Sequence, residues 1–118
     1  MPLVCYHGEN PHIIDQERAD MILQVISDPE RRKIINSIKD EAKTAIQISK
    51  ETGLSISTVY RKIRELAEKH VVITSGRINS QNKREFNFKS KIRKVVTVFD
   101  NDALDVKIYT NLRDEKFS

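Results

Sequence analysis

Thr44-Ala-Ile-Gln-Ile-Ser-Lys-Glu-Thr-Gly53, followed by Leu54-Ser-Ile-Ser-Thr-Val-Tyr-Arg-Lys-Ile-Arg-Glu-Leu-Ala-Glu-Lys-His70, decides how this chain folds. Thr44 and Gln47 have the spacing of a capping box and open a short helix whose apolar residues are Ile46 and Ile48. Gly53 closes it, because glycine adopts a left-handed conformation at little cost. A second helix begins after Ser55 and ends near Lys69. With a rotation of ~100° per residue and Ile56 as origin, Val59, Ile63, Leu66 and Ala67 gather on one side. Ser57, Thr58, Arg61, Glu65 and Glu68 point the other way, with Tyr60 and Lys62 on the flanks. One stripe therefore packs inward, and hydroxyls and a guanidinium protrude near the N-terminal end.

A rod with that surface suits the DNA major groove, which is wide enough to admit a helix. Two short helices joined by a tight turn are the sequence form of a helix-turn-helix. Upstream, a helix from about Gln16 to Ser27 is expected, with Asp15 as N-cap and Ala19, Ile22, Leu23 and Ile26 on its buried face. Asp28-Pro29 opens the next helix, since Asp caps well and Pro suits the first helical position. It should run to about Asp40 with Ile34, Ile35 and Ile38 inward. Downstream the pattern turns to β. Val71-Val-Ile73 is a β-branched run, Ser75–Arg84 reads as a loop, and Glu85-Phe-Asn-Phe-Lys89 alternates, which directs both Phe rings to the core. These pieces form a hairpin wing. A second hairpin is expected from Val95–Phe99, the turn Asp100-Asn-Asp-Ala103 and Leu104–Tyr109.

The fold expected is α+β, mainly α: a winged helix-turn-helix of four helices, a β-hairpin wing and an additional C-terminal β-hairpin. Its organisation reads as an N-terminal arm (1–14), where Pro2, Gly8 and Pro11 interrupt any period; the helix-turn-helix unit (15–94); the hairpin extension (95–110); and a polar tail (111–118). At 118 residues, with 38% hydrophobic and 32% charged, one domain is the natural size and the composition is globular. No apolar run nears the ~20 residues of a membrane span. A single cysteine, Cys5, and a start without a basic-then-apolar pattern fit a reducing cytosol.

Charge is unevenly spread. Residues 1–54 carry 7 basic and 9 acidic side chains, residues 55–94 carry 11 and 3, and residues 95–118 carry 3 and 5. The middle segment, with a net of +8, coincides with the groove-shaped helix and the wing, which is the footprint of a nucleic-acid binder. Ser57, Thr58 and Arg61 are the candidates for base-edge contacts, Arg by pairing with guanine. Lys62, Arg64, Arg77, Lys83 and Arg84 are candidates for phosphate contacts, together with Thr44 and Gln47 at a helix N-terminus. The triplet Arg31-Arg-Lys33 reads mainly as surface or intramolecular ion pairs.

Two stretches resemble the ArsR-like family of archaeal and bacterial repressors. Ile26-Ser-Asp-Pro-Glu-Arg-Arg-Lys-Ile-Ile35 is similar to that family's "sDPxRxxIL" segment, and Leu54-Ser-Ile-Ser-Thr-Val-Tyr-Arg-Lys-Ile-Arg-Glu-Leu66 to its "lSxSTVSrHLkxL" recognition helix. The resemblance covers about residues 18–90. It implies a homodimeric transcription regulator that binds double-stranded DNA, with recognition helix 56–69 in the major groove and wing 75–85 on the backbone. The chain departs from its relatives in three places. The helix Thr44–Thr52 lacks the cysteines that metal-sensing members often carry there. A strand pair replaces the long C-terminal helix that joins two subunits in many relatives. His70 stands where the family usually has Gly.

Other chemistries find little support. Cys5, His7 and His12 are the only soft-ligand cluster, a weak metal candidate whose spacing matches no common site. No glycine-rich phosphate loop or paired-carboxylate site appears, so neither an enzyme nor a cofactor is expected. A winged helix acting as a protein-binding adaptor is the alternative to DNA binding.

Overall fold

The computed structural model describes the backbone of residues 3–7, 10–14 and 16–111, and the side chains of residues 17–76 and 78–111. Four helices come in the expected order: α1 (Gln16–Ile26), α2 (Pro29–Ser37), α3 (Ala45–Thr52) and α4 (Ile56–Glu68). The local signals behind them are visible as contacts. Asp28 caps α2 by accepting from the Arg31 N–H, and Thr44 and Gln47 form a reciprocal capping box on α3. Gly53 turns left-handed at φ 80°. Ser55 caps α4 through the Thr58 N–H. Asp15 lies outside the described residues. The second helix stops at Ser37 rather than Asp40, although Ile38 still points inward and is fully buried.

Ala19, Ile22 and Val25 of α1, Ile34 and Ile35 of α2, Ala45 and Ile48 of α3, and Val59, Ile63 and Leu66 of α4 close one core. The strands Val72–Ile78 and Arg84–Ser90 pair antiparallel as the wing, and the backbone of Lys43 bonds to that of Phe88 on the wing's inner side. The wing strands are longer than expected, and the turn shrinks to residues 79–83. Asn79 explains this. Its carboxamide oxygen accepts from the N–H groups of Gln81 and Lys83, and Asn82 takes the left-handed conformation at φ 61°. Only one of the two wing rings is buried. Phe88 lies in the core, whereas Phe86 is exposed. The intervening Asn87 is buried as well, so burial along the strand does not follow the alternation.

The N-terminal segment differs most from expectation. Residues 3–7 and 10–14, read above as an irregular arm, are strands β1 (Leu3–His7) and β2 (Asn10–Ile14). They join the C-terminal hairpin, strands Ile92–Asp100 and Ala103–Thr110, in a four-stranded sheet. Numbering the wing strands β3 and β4 and the hairpin strands β5 and β6, the order is β2-β1-β6-β5, with β1 parallel to β6 and the other pairs antiparallel. The hairpin is therefore part of a sheet rather than an appendage. Its turn residues Asn101 and Asp102 both have positive φ, as a twist-matched two-residue hairpin turn requires. Val106 and Ile108 from β6 are buried in the same core as the helices. Asn111 fixes the end of β6 by donating to the carbonyls of Lys39 and Ser90.

Candidate nucleic-acid interface

Helix α4 is held from three sides. Its apolar stripe, Val59, Ile63 and Leu66, is buried. On its α2 side, Lys62 Nζ lies 2.9 Å from Asp28 Oδ2 and 3.8 Å from Glu30 Oε1. Arg31 Nη2 donates to Glu65 Oε1 at 2.9 Å, also across to α2. At its C-terminal end, Arg18 from α1 donates to the carbonyls of Lys69 (2.6 Å) and His70 (3.2 Å), where helix carbonyls lack partners and the dipole favours a cation. The Lys62 hydrogen bond holds the Asp28 carboxyl below its ordinary pKa, and the Arg31 hydrogen bond does the same for Glu65.

The helix ends in a two-bond turn. The His70 N–H donates to the Ala67 carbonyl and the Val71 N–H to the Leu66 carbonyl, with His70 left-handed at φ 60°. The left-handed conformation favours glycine, and here histidine adopts it at a strain cost of about 1 kcal/mol.

What remains outward is a face of Ser57, Tyr60, Arg61, Arg64 and Glu68, all exposed. Neither Arg61 nor Arg64 makes a hydrogen bond or ion pair with another described residue, so both guanidinium groups face solvent with all their donors. Two of the expected DNA contacts meet a partner within the chain. Lys62, expected at phosphate, is engaged with Asp28 and only 12% of its side chain is exposed. Thr58 is half-buried, and its Oγ1 accepts from Ser55 Oγ at 2.9 Å as part of the capping turn. Tyr60, on the flank of the wheel, is 50% exposed beside Arg61, and Ile56, the origin of the wheel, is 41% exposed. Ile46 of α3 is likewise exposed, its place in the core taken by Ala45. On α4 the buried positions are Val59, Ile63 and Leu66, a stripe that leaves Ile56 and Tyr60 outside it.

Thr44 and Gln47 are brought together, but by their own capping box: the Thr44 N–H donates to Gln47 Oε1 at 2.8 Å and the Gln47 N–H to Thr44 Oγ1 at 3.2 Å. On the wing, Lys83 and Arg84 are exposed, and the Arg84 guanidinium lies over the Phe86 ring, 5.5 Å from its centroid. The side chain of Arg77 lies outside the described residues; its backbone pairs with Glu85. The side chains of Cys5, His7 and His12 also lie outside them. Among the described residues no group of three His, Cys, Asp or Glu is arranged to hold a metal ion.

Residues 28–74 match the family model described as "Bacterial regulatory protein, arsR family", which spans α2, α3, α4 and the first wing residues. The chain carries an ArsR-like helix-turn-helix. The matched helices, α2, α3 and α4, are similar to those of that family of DNA-binding regulators, and the matched segment includes both ends of the Asp28–Lys62 and Arg31–Glu65 ties. No curated protein and no solved structure matches the chain. Among the described residues no helix is long and apolar enough to cross a membrane.

Proposed function

We propose that the protein is a homodimeric, sequence-specific regulator that lays α4 in the major groove of double-stranded DNA. Arg61 reads a guanine edge through O6 and N7, Ser57 supplies a hydroxyl that suits several bases, and the Tyr60 ring and Ile56 lie against thymine methyl groups. Arg64, Lys83, Arg84 and Arg77 hold phosphates, and the N-terminal end of α3 at Thr44 and Gln47 lies against the backbone. The wing supplies affinity rather than sequence reading. Two copies related by a two-fold axis bind a pseudo-palindrome with half-sites about one helical turn apart. We take residues 15–94 as the unit that contacts DNA.

A single observation carries this reading. The outward face of α4 presents unpaired guanidinium groups on a helix otherwise pinned by buried residues and by ties to α1 and α2. A rigid helix with unneutralised cations along one face is what groove binding needs, since positions must hold while phosphates supply the counter-charge.

Exposed Ile46, Ile56 and Tyr60 favour a second reading, a protein-binding winged helix, because large apolar side chains on a helix pair also suit a partner surface. A mobility-shift assay on random duplex DNA across a salt series separates the two. The DNA-binding reading requires retardation at low salt that fades steeply as salt rises. No retardation at any ionic strength favours the adaptor. Selection from a random duplex pool then gives the recognition sequence.

A further inference from the structure

We infer that β5 is the subunit interface: two copies of the chain join edge to edge through Lys94–Asp100, antiparallel across a two-fold axis at Thr97, to make one continuous eight-stranded sheet. This deepens the proposed homodimer by naming its surface and register, and it stands or falls without reference to DNA.

The sheet β2-β1-β6-β5 has two edges. The β2 edge carries Pro11, which lacks an N–H and discourages further pairing. No described strand pairs with the outer edge of β5. This nine-residue strand contains Val95-Val-Thr-Val-Phe99 without a proline, glycine or charge. A register shift between Ile92 and Lys94 disrupts only its first residues and leaves Lys94–Asp100 regular. Natural edges that stay single are usually short, charged or bulged along their length. Here the middle has none of these protections, and Val98 and Phe99 are 54% and 71% exposed.

Symmetry and charge select the register. A two-fold axis perpendicular to the sheet keeps each face on its own side, so a residue can oppose only one from the same face of the strand. Lys94, Val96, Val98 and Asp100 share one face. Val95, Thr97 and Phe99 share the other, opposite Ile108, Val106 and Leu104 of β6. With the axis at Thr97, that residue meets its own copy, Val96 meets Val98, Val95 meets Phe99, and Lys94 meets Asp100, each of the last three pairs occurring twice. Opposite charges then face each other at both ends, and the exposed Phe99 ring gains a β-branched partner. Moving the axis to Val96 sets Lys94 against Val98 and Arg93 against Phe99. Moving it to Val98 sets Asp100 against Val96. Only the Thr97 register matches charge with charge and apolar with apolar.

The test is the mass of the full chain in solution by sedimentation over a dilution series, for wild type and four variants. Wild type should be dimeric at micromolar concentration. Thr97→Lys, which places two ammonium groups together on the axis, should raise the dissociation constant at least about tenfold. Lys94→Asp and Asp100→Lys should each weaken dimerisation by setting like charges opposite, and the double variant Lys94→Asp/Asp100→Lys should restore it. Circular dichroism confirms that each variant is folded, and if Thr97→Lys is not, the charge-exchange set decides. A monomeric wild type, a dimer indifferent to all four changes, or a double variant no tighter than the singles would overturn the interface. Random-duplex binding of the same samples at low salt reads the DNA-binding proposal separately, since one α4 suffices for non-specific retardation.

Discussion

Asp28 performs two tasks that mutation can separate. Its carboxylate caps α2 by accepting from the Arg31 N–H at 3.2 Å, and it meets the Lys62 ammonium at 2.9 Å. Loss of an N-cap costs about 1 kcal/mol. The ion pair is neither open nor sealed, with side-chain exposures of 12% for Lys62 and 25% for Asp28. Its coupling should sit at the top of the surface range, about 1 kcal/mol. Glu30, 3.8 Å from the same ammonium, remains as a partner when Asp28 is removed. The loss should therefore stay below the roughly 3–5 kcal/mol of an orphaned buried charge. Asp28→Ala should lose about 2 kcal/mol, and Asp28→Asn, which keeps a capping oxygen, about 1 kcal/mol. With a urea dependence of roughly 1.5 kcal/mol per molar, the unfolding midpoints should fall by ~1.3 M and ~0.7 M. Urea unfolding followed by circular dichroism measures this, and Lys62→Met with the double variant closes a thermodynamic cycle. A coupling of about zero, or equal losses for Asp28→Ala and Asp28→Asn, would refute the reasoning. Lys62→Met should also leave the salt slope of DNA binding unchanged. A slope flatter by ~0.9 would return Lys62 to the phosphate set.

His70→Gly should stabilise the protein by about 1 kcal/mol by relieving the left-handed strain, raising the thermal midpoint by roughly 4 °C; a lower midpoint would mean that the imidazole contributes more than its backbone costs. Acid should weaken the α2–α4 ties. The Asp28 and Glu65 carboxyls titrate below their ordinary values when folded, so the stability they supply is complete above about pH 4 and is lost as pH falls through the lower folded values. Urea midpoints between pH 6 and pH 3 should show that decline, and Lys62→Met should show less of it; identical acid profiles would count against the tie. Arg61→Ala should relax base preference at one position by ~1–3 kcal/mol while leaving random-duplex affinity nearly intact. Lys83→Ala should instead weaken all sequences alike and flatten the salt slope by ~0.9. Equal loss on selected and random DNA for Arg61→Ala would remove its base-reading role.

The parts of the fold legible in the sequence are those made by near neighbours. The Asp28-Pro29 cap, the Thr44–Gln47 box, the Gly53 turn and the α4 stripe each lie within a few residues, and all appear where local chemistry places them. What escaped is long-range. Lys62 looks like a phosphate ligand until α2 folds across and delivers Asp28, a residue 34 positions earlier. The strands at 3–7 and 10–14 have no period of their own that survives Pro2, Gly8 and Pro11. They pair with each other, but β1 joins the larger sheet only through β6, which no local pattern announces. The Gly8-Glu9 pair between them was an available hairpin signal. The exposure of Tyr60 and Ile56 depends on what packs against α4, which a helical wheel does not give.

The parallel pairing of β1 with β6 bears on how the molecule is made. Leu3 faces Val106, so the ribosome releases one partner roughly 100 residues before the other, and the intervening chain must be organised before they can meet. The helices and wing lie closer together in sequence than β1 and β6 and can assemble first. Until Ala103–Thr110 is synthesised, the β1–β2 hairpin waits with a bare edge. Nascent chains halted short of that point should be capable of building the helical half while remaining prone to clump.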